Sequence, residues 1–214
     1  MKNEEIGMRK LKVSYILLGQ INYHDVRQYA EILPPKRREK IDRLRFDRDK
    51  LLSLTAGLLI RREIGDMPMI LNEHGKPYAV GSDIFFSVSH SGDCVAIAVD
   101  DREVGVDVEK LPDKEYLKIA RRFYHPNELS FVENADDPAR AFTRVWTRKE
   151  AYLKQIGTGI ATDLTAFDTT TGDLAEQILS RDIEGYVLSA CTEKPLSESI
   201  YISELELKEV FKKG

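Results

Sequence analysis

Ile84-Phe-Phe-Ser-Val-Ser-His-Ser-Gly-Asp-Cys-Val-Ala-Ile-Ala-Val99, followed closely by Val104-Gly-Val-Asp-Val-Glu109, decides the fold. Short apolar runs bounded by Gly and Asp read as strands rather than helices. Ile84–Ser89 is therefore a strand, His90–Asp93 a tight turn, and Cys94–Val99 the hairpin partner. Asp100-Asp-Arg-Glu103 turns the chain into a third strand, Val104–Glu109. Upstream, Leu51, Leu54, Leu58 and the Leu59/Ile60 pair recur at helical spacing over Asp49–Ile64, and Gly65 ends that helix. Downstream, Lys114–Phe123 and Pro126–Val132 read as helices. A longer helix over Pro138–Ile156 has clear ends: Asp137 can cap it, Pro138 fits its first turn and Gly157 stops it. At 1.5 Å per residue it is about 28 Å long.

The outer parts of the chain are consistent with this frame. Val13–Leu18 is an opening strand, and Asp25–Leu33 a short helix stopped by Pro34-Pro35. Asn72–Pro77 is turn chemistry. After Ala166, Gly185–Ala190 and Ser199–Ile202 read as strands and Leu205–Phe211 as a closing helix. A helix followed by hairpin strands thus occurs twice. That suggests, without establishing it alone, an α+β protein of two similar α/β subdomains with pseudo-twofold symmetry, residues 1–102 and 103–214, with a site in the cleft between them.

Composition narrows the function. The 214 residues carry 32 basic and 36 acidic side chains, a net charge of −4, with 42% hydrophobic and 32% charged content. This is an ordinary soluble balance that excludes disorder and fibrous repeats. The near-neutral charge argues against non-specific nucleic-acid binding. Cys94 and Cys191 are far apart and form no zinc spacing or disulfide framework, so a reduced, cytoplasmic setting is expected. The start, Met1–Lys12, is mixed in charge, the Val13–Leu18 run is too short for a signal peptide, and no segment is long enough to span a membrane.

Several residues could carry chemistry. Asp107 and Glu109 lie two apart in a strand, so both carboxylates share a face. Paired acids repel unless a cation neutralises them, and two hard oxygen ligands suit Mg²⁺. Alone, D-x-E also reads as a solvated strand edge. Lys149 falls in the middle of the apolar stripe Phe142, Val145, Trp146, Tyr152, Leu153 and Ile156, where it must snorkel or meet an anion. Glu150 and Lys154, one turn apart, read as a helix-surface ion pair or as an acid set between two ammonium groups beside a phosphate chain. His90, at the end of a strand in Ser87-Val-Ser-His-Ser-Gly92, is either a surface histidine or part of a backbone nest for an anion. The basic run Lys36–Arg48 is either a solvated face or a phosphate pocket.

The order of these blocks is more specific than any one of them. Gly75-Lys-Pro77, Phe86–Gly92, Val104–Lys110, Phe123 with Pro126 and Glu128, and Trp146-Thr-Arg-Lys-Glu-Ala-Tyr-Leu-Lys154 with Gly157 and Gly159 follow one another. From about Leu33 to Gly159 they closely resemble the 4′-phosphopantetheinyl transferases of the two-subdomain, surfactin-synthetase-activating type. His125 departs from the pattern, standing where a small hydroxyl residue is more usual.

The resemblance implies transfer of the phosphopantetheine arm of coenzyme A to a serine of an acyl or peptidyl carrier protein, with release of adenosine 3′,5′-bisphosphate. Matched by motif, Asp107, Glu109 and Glu150 would hold Mg²⁺, and Glu150 would also be the general base. Lys154 would stabilise charge at the α-phosphate, and Lys149 would sit by the pyrophosphate. His90 and Ser89 would bind phosphate oxygens, and Lys76 with Pro77 would line the adenine. Arg37, Lys40, Arg48 and Ser53 are the candidates for the 3′-phosphate. A monomer is expected, since the two halves supply both sides of the cleft. The competing readings are a non-catalytic coenzyme A or carrier-binding relative, and a Mg²⁺-dependent phosphodiesterase. The latter would want a lysine two residues after its acid on a strand.

Overall fold

A computed structural model of the chain describes residues 11–159, 162–196 and 200–211. The mixed-charge residues 1–10 and Ser199 lie outside the described residues. The chain opens with β1 (Leu11–Leu17), α1 (Tyr23–Val26), α2 (Pro35–Asp42) and α3 (Asp47–Ile64). A short hairpin follows, β2 (Met69–Leu71) and β3 (Pro77–Ala79), then β4 (Phe85–Ser91) and β5 (Cys94–Asp100). The second half begins with β6 (Val104–Lys110), α4 (Tyr116–Phe123), α5 (Pro126–Glu133) and α6 (Pro138–Ile156). It continues through α7 (Gly172–Glu176), β7 (Ile178–Ile183), β8 (Tyr186–Thr192), β9 (Ile200–Glu204) and α8 (Leu207–Val210).

The two halves share a plan. In the first, the sheet order is β4-β5-β1, with β1 antiparallel to β5 and the long helix α3 inserted before the hairpin. In the second, the order is β7-β8-β6, with β6 antiparallel to β8 and α6 in the equivalent place. The repeat expected from the sequence is therefore a repeat of topology. One strand crosses the 102/103 boundary: β9 returns to pair parallel with β1 at the edge of the first sheet. With α8, whose Leu207 and Val210 join the core around α3, the last described residues thus belong with the first half.

Period-two alternation assigns the strand faces. In β5, Val95 and Ile97 pack with Phe86 of β4 under the α3 leucines. Cys94, Ala96 and Ala98, on the other face, meet Val104, Val106 and Val108 of β6 and Leu188 and Ala190 of β8. The layers are thus α3, first sheet, second sheet, α6. On β6 the even positions fill this central core, so Gly105, Asp107 and Glu109 face α6. Gly105 allows that helix to lie directly on the strand. A Cβ there would overlap the Ala151 carbonyl oxygen and the Gln155 amide nitrogen.

The expected Asp25–Leu33 helix is α-helical only as α1, continuing as a 3₁₀ turn over Arg27–Ile32. The expected turn at His90 lies further on, since His90 pairs with Val95 and Ser91 with Cys94, leaving Gly92-Asp93 to close the hairpin. Strands β2 and β7 went unread because β2 is three exposed residues and β7 carries Ser180, Arg181 and Asp182 in its middle. His125 caps α5, its Nδ1 accepting from the Asn127 amide at 3.3 Å, which is the service a hydroxyl would give. Among the described residues no helix is long and apolar enough to cross a membrane.

Candidate active site

Two hollows run between the halves. The larger, about 510 Å³, is walled by Arg37, Lys40, Lys76, Pro77, Phe86 and the α6 residues Glu150, Leu153 and Lys154. The smaller, about 380 Å³, holds Ser89, Asp107, Glu109 and Trp146. Val88, His90, Glu150 and Lys154 line both, so the two hollows are neighbours.

The strand alternation builds the acidic end. Ser89 and Ser91 of β4 repeat at the same period as Asp107 and Glu109 of β6, and each serine serves one acid. Ser89 Oγ donates to Asp107 Oδ1 at 2.7 Å, and Ser91 Oγ to Glu109 Oε2 at 2.5 Å. Lys154 Nζ also reaches Asp107 Oδ1 at 2.6 Å and Ser89 Oγ at 3.0 Å. The lysine thus pairs with an acid on β6 rather than with Glu150 on its own helix. Asp107 Oδ2 is buried and has no hydrogen-bond partner.

Burial, together with the neighbouring Asp107 charge, raises the pKa values of Glu109 and Glu150; Lys154 opposes the rise at both, and the Ser91 hydroxyl at Glu109. Glu109 and Glu150 are therefore short of positive charge. Among the described residues no ready-made group of three metal-ligating side chains exists, and Lys154 is paired with Asp107 Oδ1.

His90 projects from β4 on the Phe86 and Val88 face. Burial pushes its pKa down, and the positive charges of Lys154, Arg37 and Lys40 push it further. Both effects favour the uncharged ring. The nest expected at this turn does not form as read. The Asp93 amide donates to the Tyr186 hydroxyl at 2.8 Å, and the His90 backbone lies in the β4–β5 ladder.

Three expected residues are not brought to the cleft. Lys149 is 0% exposed. Its ammonium pairs with Glu128 at 2.7 Å and donates to the Leu164 and Phe167 carbonyls at 2.7 and 2.8 Å. It meets an anion, as its place in an apolar stripe demands, but the anion is internal. Arg48 pairs with Asp93 at the hairpin turn. Ser53 lies on the buried face of α3, where its carbonyl accepts from Arg37. Lys76 lines the cleft, but its ammonium is engaged by Glu103 and by the Gln155 carbonyl at 2.7 Å. Its stem, with Pro77, forms the wall.

Two further residues join the site, Ser91 as the partner of Glu109 and Asn72 as the holder of the β2–β3 turn. Ser91 was legible as the second half of an S-x-S that faces D-x-E. Asn72 was legible as an Asx turn: its Oδ1 accepts from the His74 and Lys76 amides at 3.0 and 2.8 Å.

Comparison with known proteins gives this geometry its context. The family model for the 4′-phosphopantetheinyl transferase superfamily matches residues 103–200. The chain is 30% identical to 4′-phosphopantetheinyl transferase gsp of Aneurinibacillus migulanus, covering 76% of this chain and 77% of the relative. It is 31% identical to 4′-phosphopantetheinyl transferase psf-1 of Bacillus pumilus, covering 86% and 91%. To 4′-phosphopantetheinyl transferase AcpT of Salmonella typhi it is 34% identical, covering 67% and 77%. Likeness of this extent places the chain in the 4′-phosphopantetheinyl transferase family.

Proposed function

We propose that this transferase moves the 4′-phosphopantetheine arm of coenzyme A to a serine hydroxyl of an acyl or peptidyl carrier protein, releasing adenosine 3′,5′-bisphosphate. The observation that carries the reading is the adjacency of the two hollows. A cationic, apolar-walled slot sized for a nucleotide shares His90 and Lys154 with a pocket of three carboxylates.

Arg37 and Lys40 supply positive charge at the outer end for the 3′-phosphate, and the Lys76 stem and Pro77 flank the adenine. His90 donates a ring N–H to a phosphate oxygen. Lys154 is placed to leave Asp107 and meet the α-phosphate. In the transfer, the bond between the β-phosphorus and the bridging oxygen breaks as the serine oxygen bonds to that phosphorus. Glu150 takes the serine proton. Glu150 lines both hollows, which sets its carboxylate beside the incoming hydroxyl and the phosphates. Lys154 neutralises the charge that develops on the departing bisphosphate.

Asp107, Glu109 and Glu150 are the residues that would hold Mg²⁺. The unpartnered Asp107 Oδ2 and the charge deficit at Glu109 and Glu150 fit a hard cation that prefers carboxylate and phosphate oxygens. When bound, the ion supplies charge neutralisation across the pyrophosphate. We place the reaction in the cytoplasm, with the chain acting as a monomer and without nucleic acid.

The test is release of adenosine 3′,5′-bisphosphate, followed by chromatography, from coenzyme A and Mg²⁺ with and without apo carrier proteins. Release that requires a carrier supports the transfer. Release without any carrier supports the phosphodiesterase reading. Tight coenzyme A binding with no release under either condition supports a binding relative.

A further inference from the structure

The C-terminal end of α6 carries an arrangement that the transfer reading does not use. The last carbonyls of a helix lack intrahelical partners. In α6 two carbonyls at this end are satisfied from across the cleft. Asn72 Nδ2 donates to the Gly157 carbonyl at 3.0 Å, and Lys76 Nζ donates to the Gln155 carbonyl at 2.7 Å. Both donors sit on the β2–β3 turn of the first half. The fit is close: a Cβ at Gly157 would stand 3.1 Å from Asn72 Nδ2 and 3.3 Å from Lys76 Cδ. Gly157 also takes φ = 69°, which disfavours any side chain there.

Asn72 does two jobs with two atoms. Its Oδ1 holds the turn that presents Pro77, and its Nδ2 holds the helix. Lys154 lies within the last turn of α6, and Glu150 one turn before it. A single side chain thus ties the loop that walls the nucleotide to the helix that carries the base and the cation.

We infer that the Asn72–Lys76 turn is a C-cap supplied to α6 in trans, and that Asn72 is a positioning residue that fixes where Lys154 and Glu150 stand. This rests on the transfer reading above. Cation and amide donors at a helix C-terminus are favourable, and an anion there is not.

Asn72→Asp separates the two jobs. A carboxylate still accepts from the His74 and Lys76 amides, so the turn and the nucleotide wall are retained. It has no donor for Gly157 and sets a negative charge against the negative end of the helix. Asn72→Ala loses both jobs.

The experiment measures three quantities on the full chain for wild type and both variants: coenzyme A affinity by calorimetry, kcat for carrier modification, and hydrogen exchange of the α6 amides 153–157. For Asn72→Asp, coenzyme A affinity should stay within about threefold, while kcat falls at least about tenfold, as a small misplacement of catalytic groups gives. The Gly157 amide, bonded to Leu153 O at 2.9 Å, should exchange faster. Asn72→Ala should lose affinity as well. Wild-type kcat and exchange in Asn72→Asp would overturn the cap. So would equal losses of affinity in both variants at unchanged kcat. If the wild-type chain modifies no carrier, the transfer reading fails instead, and unchanged exchange in Asn72→Asp would still overturn the cap by itself.

Discussion

Helix α3 rests on the first sheet through Leu51, Leu54, Leu58 and Leu59, all buried and all aliphatic. Helix α6 buries Phe142, Val145, Ala151 and Leu153 together with the polar Thr143, Thr147, Lys149 and Gln155. Beneath it, Thr147 Oγ1 and Ser189 Oγ lie 2.8 Å apart and Ser189 and Ser180 Oγ 2.9 Å, while Lys149 is locked to Glu128. The same strand and helix order therefore serves two ends. The first half is held by apolar burial and contributes a wall with cations on it. The second gives up apolar contact for directional bonds, which fix the rotation of α6 as well as its distance from the sheet. A helix that carries Glu150 and Lys154 benefits from that extra constraint, because a small rotation would move both groups.

The largest expected effect sets the two long-helix glycine contacts against each other. Gly105→Ala places a methyl group into the backbone of α6, which has no room to move, and should cost more than about 3 kcal/mol of stability. Gly57→Ala in α3 meets only side-chain atoms of Leu33 and Arg37 and should cost distinctly less. Thermal unfolding of both variants tests this, and equal costs would break the contrast. Next comes Glu150→Gln, for which kcat should fall by about 10² to 10⁴, the range of a general base, while coenzyme A binding changes little.

Lys149→Met follows. It strands Glu128 as a buried charge and should cost about 3–5 kcal/mol, with coenzyme A affinity of the folded protein unchanged. The double variant Lys149→Met with Glu128→Leu should recover much of that loss. A Lys149→Met protein of normal stability and weakened coenzyme A binding would return this lysine to the cleft.

A smaller effect concerns stability without metal. Burial raises Glu109 and Glu150 above their unfolded values, so their contribution is present at low pH and is lost as pH rises through the raised values. In EDTA at neutral pH, Glu150→Gln should therefore melt higher than wild type, with the gap closing on acidification. A lower midpoint at neutral pH would contradict the charge deficit. Smallest is the nucleotide side. Lys40→Ala should weaken coenzyme A binding about fivefold in a salt-sensitive way, the scale of one partly exposed charge contact. Arg48→Ala, paired with Asp93, should leave it within about twofold.

The sequence carried the second half further than the first. The bounds of α6 were readable to the residue because Asp137, Pro138 and Gly157 are local signals. Asp107, Glu109, Glu150 and Lys154 were readable because strand and helix periods say which side chains share a face. What was lost depended on pairing between distant segments. Lys149 was rightly placed among apolar neighbours, but nothing local says that its anion is Glu128. Arg48 and Ser53 fell on a helix whose orientation depends on the whole first core. Strand β9 returns to the first sheet, a pairing between segments some 190 residues apart that no local pattern records.

The proposed division of labour gives the transfer to the acidic end of the cleft and coenzyme A to the cationic end. Its most direct test is the intact mass of a panel of apo carrier proteins after incubation with coenzyme A, Mg²⁺ and either wild type or Glu150→Gln. Wild type should add the mass of one phosphopantetheine arm to at least one carrier. EDTA should abolish the gain, and Glu150→Gln, though still binding coenzyme A, should show little of it. No gain on any carrier, or an undiminished gain with Glu150→Gln, would contradict it.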